Sequence, residues 1–274
     1  MNGERLLACV AHPDDESFGL GSLLAHARTR GMTTVVCCAT RGEAGEVVAA
    51  ALPPGREEGA LSLDEVGAIR EGELRAAAAV LRVESVRLLG LTDSGMGGEP
   101  GQDTLVACDL AELSRRLADV MDEVRPAVVV TLDGSDGHRD HERMRDATLA
   151  ALDLAAWDVP RAYLSCLPRT LMRRWVEVLA ERTPGSEHLA LAALRELGTD
   201  DADITTVVDT ATHLEVRWRA IAAHASQVSP YEVMPQGLQR AFLTRDRLRR
   251  VRPAWRGGPL ERDLVPQAPA QRPG

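Results

Sequence analysis

At 274 residues, 45% of them hydrophobic and 27% charged, the chain can bury a sizeable core and is neither a disordered polymer nor a disulfide-stapled miniprotein. A formal net charge of -9 excludes phosphate-backbone binding as the main task, because nucleic-acid partners call for a concentrated basic surface. The five cysteines include the adjacent Cys37 and Cys38 but no Cys-x-x-Cys pair, so they read as reduced core residues rather than a disulfide framework or a thiolate metal site.

In chain order, Leu6 to Ala11 is a short apolar run that predicts a strand, and Leu20, Leu23, Leu24 and Ala27 recur at helical spacing within Phe18 to Arg30. Strands follow over Thr33 to Thr40, Ser85 to Leu89 and Ala127 to Thr131, separated by helices from about Ala68 to Leu81 and over Leu105 to Glu123. A helix from about His141, a strand near Arg161 to Cys166, helical stretches within Leu171 to Leu197, a strand at Ile204 to Val208 and a helix through Ala223 complete the pattern. This alternation of continuously apolar strands with helices predicts an α/β, Rossmann-like fold, a mostly parallel sheet with helices on both faces. Residues 1–250 are expected to form a single domain with a C-terminal helical portion. Beyond Val251 the Pro, Gly and Arg content without periodicity predicts a poorly ordered tail to 274.

Charged Glu4 and Arg5 lead straight into the first strand without the pattern of a signal peptide, and no apolar stretch is long enough to span a bilayer. The expected location is the cytoplasm, and the expected partner is a small molecule, with no nucleic acid and no membrane span. The oligomeric state is left open, a homo-oligomer included.

Chemistry concentrates in two places. His12-Pro13-Asp14-Asp15-Glu16 stands where the first strand ends and the first helix begins, where doubly wound sheets bind ligands. Proline followed by acids also suits any helix N-terminus, through its fixed φ and the helix dipole. That reading does not account for the preceding histidine or for two adjacent carboxylates, whose mutual repulsion a bound dication would relieve. Gly137-His138-Arg139-Asp140-His141 follows the fourth strand; alone, its two histidines could be surface groups capping the next helix. Taken together, His12, Asp15 and His141 could hold a catalytic zinc with one position left for water. Asp14 and His138 then remain beside it as a proton acceptor and a stabiliser of the oxyanion, with Asp140 orienting His138.

At these residues the chain resembles the PIG-L or LmbE-like zinc N-deacetylases, a family that includes glycosylphosphatidylinositol-precursor and mycothiol-pathway deacetylases. Ala11 to Glu16 is similar to the family's Ala-His-Pro-Asp-Asp-Glu, and Gly137 to His141 to its Gly-His-Pro-Asp-His with Arg139 in the proline's place. The resemblance implies His12, Asp15 and His141 as ligands to Zn2+, with Fe2+ as the alternative ion, Asp14 as general base and later acid, and His138 as oxyanion stabiliser. It implies a small-molecule amino-sugar conjugate as substrate. Glu46 in the loop after the second strand, Arg70 in an Arg-x-x-Glu helix, and Asp93 and Met96 in an Asp-Ser-Gly-Met loop would lie at the substrate, with Arg70 and Asp93 on sugar hydroxyls. Asp136 stands where mycothiol-type members carry tyrosine. The expected reaction is removal of an N-acyl group, most simply acetyl, from an N-acetylglucosamine-type sugar. The alternatives are a thiol-conjugate amidase using the same chemistry, and a non-catalytic Rossmann-like sugar- or nucleotide-binding protein. The nucleotide reading lacks a Gly-x-Gly-x-x-Gly turn after the first strand, where paired carboxylates would repel a pyrophosphate.

Overall fold

A computed structural model describes residues 3–52, 54–57 and 59–265. Strands β1 (Arg5–Val10), β2 (Thr33–Thr40), β3 (Ser85–Leu91), β4 (Val128–Leu132) and β5 (Arg161–Ser165) pair in parallel in the spatial order β3-β2-β1-β4-β5. The side-chain period of two sends alternate residues to opposite faces. Leu6, Ala8, Val10, Val36 and Cys38 pack with Leu20, Leu23, Leu24 and Leu74 on one side. Leu7, Cys9, Val35 and Cys37 pack with Leu113, Leu117, Met121 and Met144 on the other. The adjacent cysteines thus enter two different cores, and burial pushes the Cys37 thiol up to about 12. Cys9, Cys37, Cys38, Cys108 and Cys166 are all free thiols.

The helices that cover these faces are α1 (Asp15–Phe18), α2 (Gly21–Thr29), α3 (Leu63–Leu81), α4 (Leu110–Val124) and α5 (Arg139–Leu154), followed by α6 (Arg169–Arg182) and α7 (Glu187–Leu194). The stretch expected as one helix from Phe18 is divided at Gly19 and Leu20. α3 begins earlier than the apolar periodicity predicts because Ser62 and Glu65 form a reciprocal capping box, which satisfies N-terminal amides before the first buried position.

β6 (Thr206–Asp209), α8 (Leu214–Ala223), α9 (Gln236–Leu243) and β7 (Arg245–Arg252) complete the chain, and β7 lies between β5 and β6, antiparallel to both. The sequence reading contains no β7. Its arginines hide the pattern: only Asp246 and Leu248 are buried, while Arg250 pairs with Glu261 and Arg252 with Asp153. The expectation of disorder from Val251 also fails over 251–265. Thr206 and Glu261 form a bridge, Leu264 is buried, and its carbonyl accepts the Tyr163 hydroxyl at 3.0 Å. The remainder of the predicted tail, 266–274, lies outside the described residues.

The strand order reverses between β1 and β4. The connections leaving them diverge to opposite faces and open a crevice at the carboxyl ends of the strands, the usual ligand position in such sheets. His12 to Glu16 leave β1 there, and Asp133 to His141 leave β4.

Candidate metal centre and active site

The backbone at the β1 edge of the crevice is shaped first by its own carboxylates. Asp15 Oδ2 accepts the backbone N–H groups of Ala11 and His12 at 3.0 and 2.9 Å, folding the carboxylate back over the strand end. Asp14 has φ 116°, a region that costs a non-glycine residue about 1–3 kcal/mol. Glu16 holds it there: Oε2 accepts the Asp14 N–H at 3.0 Å, while Oε1 accepts the Ser17 hydroxyl at 2.6 Å and lies 2.7 Å from His224 Nε2. His224 is therefore the buried support of the carboxylate that fixes Asp14.

The β4 edge is held differently. His138 is the N-cap of α5, and its Nδ1 accepts the N–H of Asp140 at 3.1 Å. Because Nδ1 is the acceptor, the neutral ring carries its hydrogen on Nε2, free to donate. Asp140 was expected to orient His138. Its carboxylate instead lies 3.0 Å from His12 Nε2 and accepts the Ser94 N–H at 2.9 Å, since the helix start aims it across the crevice toward β1 and the loop after β3. The ring of His141 is oriented by Asp136, whose Oδ2 lies 2.5 Å from Nδ1, so the residue that departs from the mycothiol-type pattern anchors the second motif.

These loops bring His12, Asp15 and His141 together. His141 Nε2 lies 3.1 Å from Asp15 Oδ1, and His12 Nδ1 lies 3.8 Å from Asp15 Oδ2. The donor atoms of His12, His138 and His141 lie within 4.8 Å of one another, as do those of His12, Asp93 and Asp140. His12 is common to both groups, and the second contains two acids that sequence analysis did not place among the ligands.

Charge explains why such a cluster suits a cation. Burial disfavours protonated His12, but Asp93, Asp140 and Asp15 outweigh it and raise the imidazole to about 10. Burial likewise opposes the His141 proton, and Asp136 with Asp15 holds it on the ring well above the ordinary range. Burial would raise Asp15, yet His141 and His12 keep it below the usual carboxylate range. The acids thus demand positive charge at the imidazoles, and a dication supplies it in place of protons. Asp140 Oδ1 is buried without a hydrogen-bond partner among the described residues, and His141 Nε2 lies 3.1 Å from Asp15 Oδ1 without hydrogen-bond geometry. Buried donor atoms left unsatisfied beside carboxylates fit a divalent metal.

Two further groups differ from the ligands. Burial raises Asp14 to about 6, with Arg70 pulling against the rise, which places a carboxylate close to neutrality for proton transfer. Burial lowers His138 to about 3, reinforced by His12 and His141, so it is a neutral hydrogen-bond donor rather than an imidazolium.

The residues expected on the substrate fall into two kinds. Arg70 is 4% exposed, and its guanidinium donates to Gly42 O, Pro13 O and Asp14 Oδ2 at 2.7, 2.7 and 2.8 Å. It is a brace joining the β1 and β2 loops, and its Nε is buried without a hydrogen-bond partner among the described residues. A Cβ at Gly42 or Gly45 would stand 2.4 or 2.3 Å from that guanidinium, so the glycines of the β2 loop make room for it. Asp93 is also buried. Its N–H reaches Glu43, its Oδ1 accepts the Gly95 N–H at 2.8 Å, and the same oxygen lies 3.4 Å from His12 Nε2. Met96 is half-buried in the same loop, whereas Glu46 is exposed and its backbone carbonyl accepts the Gln227 amide at 3.0 Å. Asp136, Glu16 and His224 are the site residues that the sequence roles left out; the signal for Glu16 was its place inside the first motif.

The family model described as GlcNAc-PI de-N-acetylase (PIG-L) matches residues 7–152, which carry both motifs. A curated relative from Thermobispora bispora, 1D-myo-inositol 2-acetamido-2-deoxy-alpha-D-glucopyranoside deacetylase, is 36% identical over 267 residues, covering 89% of this chain and 86% of the relative. Among solved structures, a deacetylase–bog complex from the teicoplanin biosynthesis pathway superposes with TM-score 0.59 at 20% identity, covering 90% of this chain and 97% of that one. GalB, the 4-carboxy-2-hydroxymuconate hydratase of Pseudomonas putida KT2440, superposes with TM-score 0.61 at 20% identity over 93% of this chain and 99% of that one. At such identities the two structures share the fold alone, and a hydratase on this fold shows that chemistry has to be argued from the site. The family match over more than half of the sequence, together with the curated relative, makes this chain a member of the PIG-L family of metal-dependent de-N-acetylases, hydrolases of an amide bond.

Proposed function

We propose that this protein is a zinc-dependent N-deacetylase acting in the cytoplasm on the N-acetylglucosamine unit of a small sugar conjugate, through one catalytic domain that includes β7 and the segment packed on it to residue 265. The observation that carries the reading is the crevice arrangement of Asp14, raised to about 6, beside the His12, Asp15 and His141 donors and across from neutral His138. The name of the Thermobispora bispora relative supports an inositol-linked N-acetylglucosamine as the first substrate to test.

His12, Asp15 and His141 would hold the ion, with Asp136 orienting His141. Zinc supplies Lewis acidity at the acetamide carbonyl and makes a water easier to deprotonate. Asp14 accepts the proton of the attacking water, whose oxygen joins the carbonyl carbon. His138 donates its Nε2–H to the developing oxyanion, where one such donor contributes roughly 10²- to 10³-fold in rate. Asp14 then returns the proton to the amine as the C–N bond breaks, leaving acetate and a free amino sugar. Arg70, bonded to Asp14 at 2.8 Å, aims the carboxylate and favours its ionised form.

Acetate release from N-acetylglucosaminyl-inositol by zinc-loaded protein tests the reading. Asp14→Ala is expected to keep its zinc while kcat falls about 10²- to 10⁴-fold. Near-normal turnover in that variant, with zinc confirmed by metal analysis, would remove Asp14 as the base.

A further inference from the structure

Arg139 occupies the first position of α5, between the oxyanion donor His138 and Asp140, yet its side chain leaves the crevice motif and serves another loop. Its guanidinium donates to the carbonyls of Gly95, Gly98 and Gly97 at 2.8, 2.7 and 2.9 Å, and also to the carbonyl of Ser94. Gly95 and Gly98 have φ of 65° and 76°, the left-handed backbone that lets successive carbonyls turn toward one cation. Ser94 and Gly95 are also held by Asp140, Val106 and Asp93, but the tip is open: nothing stands within 4 Å of the Cβ position at Gly97 or Gly98, and both glycines are exposed. The base of the loop reaches the active site directly, because Asp93 Oδ1 lies 3.4 Å from His12 Nε2 and the Ser94 N–H donates to Asp140.

Consecutive residues of one helix start therefore grip opposite polarities of the same loop: Asp140 takes its N–H and Arg139 its carbonyls. A planar fork with five donors can satisfy several fixed acceptors at once, which an ammonium on a flexible stem does poorly. We propose that Arg139 is a positioning residue that pins the 94–98 loop at the mouth of the crevice and thereby sets how tightly, and with what size of aglycone, the enzyme holds an N-acetylglucosaminide. The proposal rests on the deacetylase reading for its substrate. The clamp itself is independent of that reading.

Arg139→Pro is the informative variant, because proline suits the first helical position and leaves the helix start intact while deleting every clamp bond. Hydrogen exchange of amides in 92–105, zinc content, and steady-state kinetics on N-acetylglucosaminyl-inositol and on a bulky aryl N-acetylglucosaminide are compared with wild type. The expected result is faster exchange in the loop, unchanged zinc, a KM for the inositol conjugate raised about tenfold with kcat within about threefold, and a smaller preference between the two substrates. Arg139→Lys should recover only part of the lost affinity. Unchanged exchange in the loop overturns the clamp, and a fall in kcat at unchanged KM overturns the positioning role. If the wild type releases no acetate from either conjugate, the deacetylase reading falls, and exchange over 92–105 alone decides the clamp.

Discussion

The two loops that meet in the crevice differ in what fixes their backbone. The β1 loop is shaped locally, Asp15 bonding the amides three and four residues back and Glu16 the amide of Asp14, and is then braced from outside by Arg70 of α3 and by His224 at the end of α8. The β4 loop is a hub, in which Asp140 reaches His12 and Ser94, Arg139 reaches 94–98, and Gly137 packs against Leu191 and Leu197. Local bonding fixes the positions of Asp14 and Asp15, whereas distant bonding ties the second half of the site to the 94–98 loop.

This contrast can be broken at its strongest point. Glu16→Ala deletes the buried partner of His224, a pair in which both side chains are fully buried, and releases the strained Asp14 amide. Removing one member of such a pair costs about 3–5 kcal/mol, readable as a lower denaturant midpoint, and kcat should fall as Asp14 relaxes. A variant as stable and active as wild type would show that the β1 loop needs no such brace.

A smaller effect is expected on the β4 side. Asp136→Asn keeps the shape but weakens the hold on His141 Nδ1, and loss of such a partner typically costs about 10- to 100-fold in metal affinity. Competition with a chromophoric chelator measures it, and unchanged zinc affinity would remove Asp136 from the metal's support.

The smallest expected effect crosses between the loops. Arg70 pulls the buried Asp14 carboxyl down against burial. Arg70→Gln should therefore raise it, and the acid limb of kcat/KM, which requires ionised Asp14, should move to higher pH by about one unit. A limb that stays in place while activity drops would assign Arg70 a purely structural role.

Much of this molecule is readable without coordinates, for stated reasons. The parallel strands are continuous apolar runs, and β1, β2 and β4 stand within a residue or two of where periodicity puts them. The pairing of His12 with His141 follows from two motifs at the ends of neighbouring strands. β7 escaped because its arginines are neutralised by Glu261 and Asp153, contacts that no local window contains. Arg70 is the reverse case: helical spacing gives its place in α3, but its bonds to two backbone carbonyls and to Asp14 follow from burial, which is invisible to sequence spacing.

The sequence by itself determined the five parallel strands and the two family motifs, because apolar periodicity and motif spacing act over a few residues. Only the tertiary structure decided which acid serves which imidazole, that Asp136 reaches His141 while Asp140 reaches His12, that His224 stands behind Glu16, that β7 joins the sheet, and that Arg139 holds the 94–98 loop. Each of those assignments depends on directions set by packing between segments far apart in the chain, where a shift of one helical position would hand the same side chain a different partner.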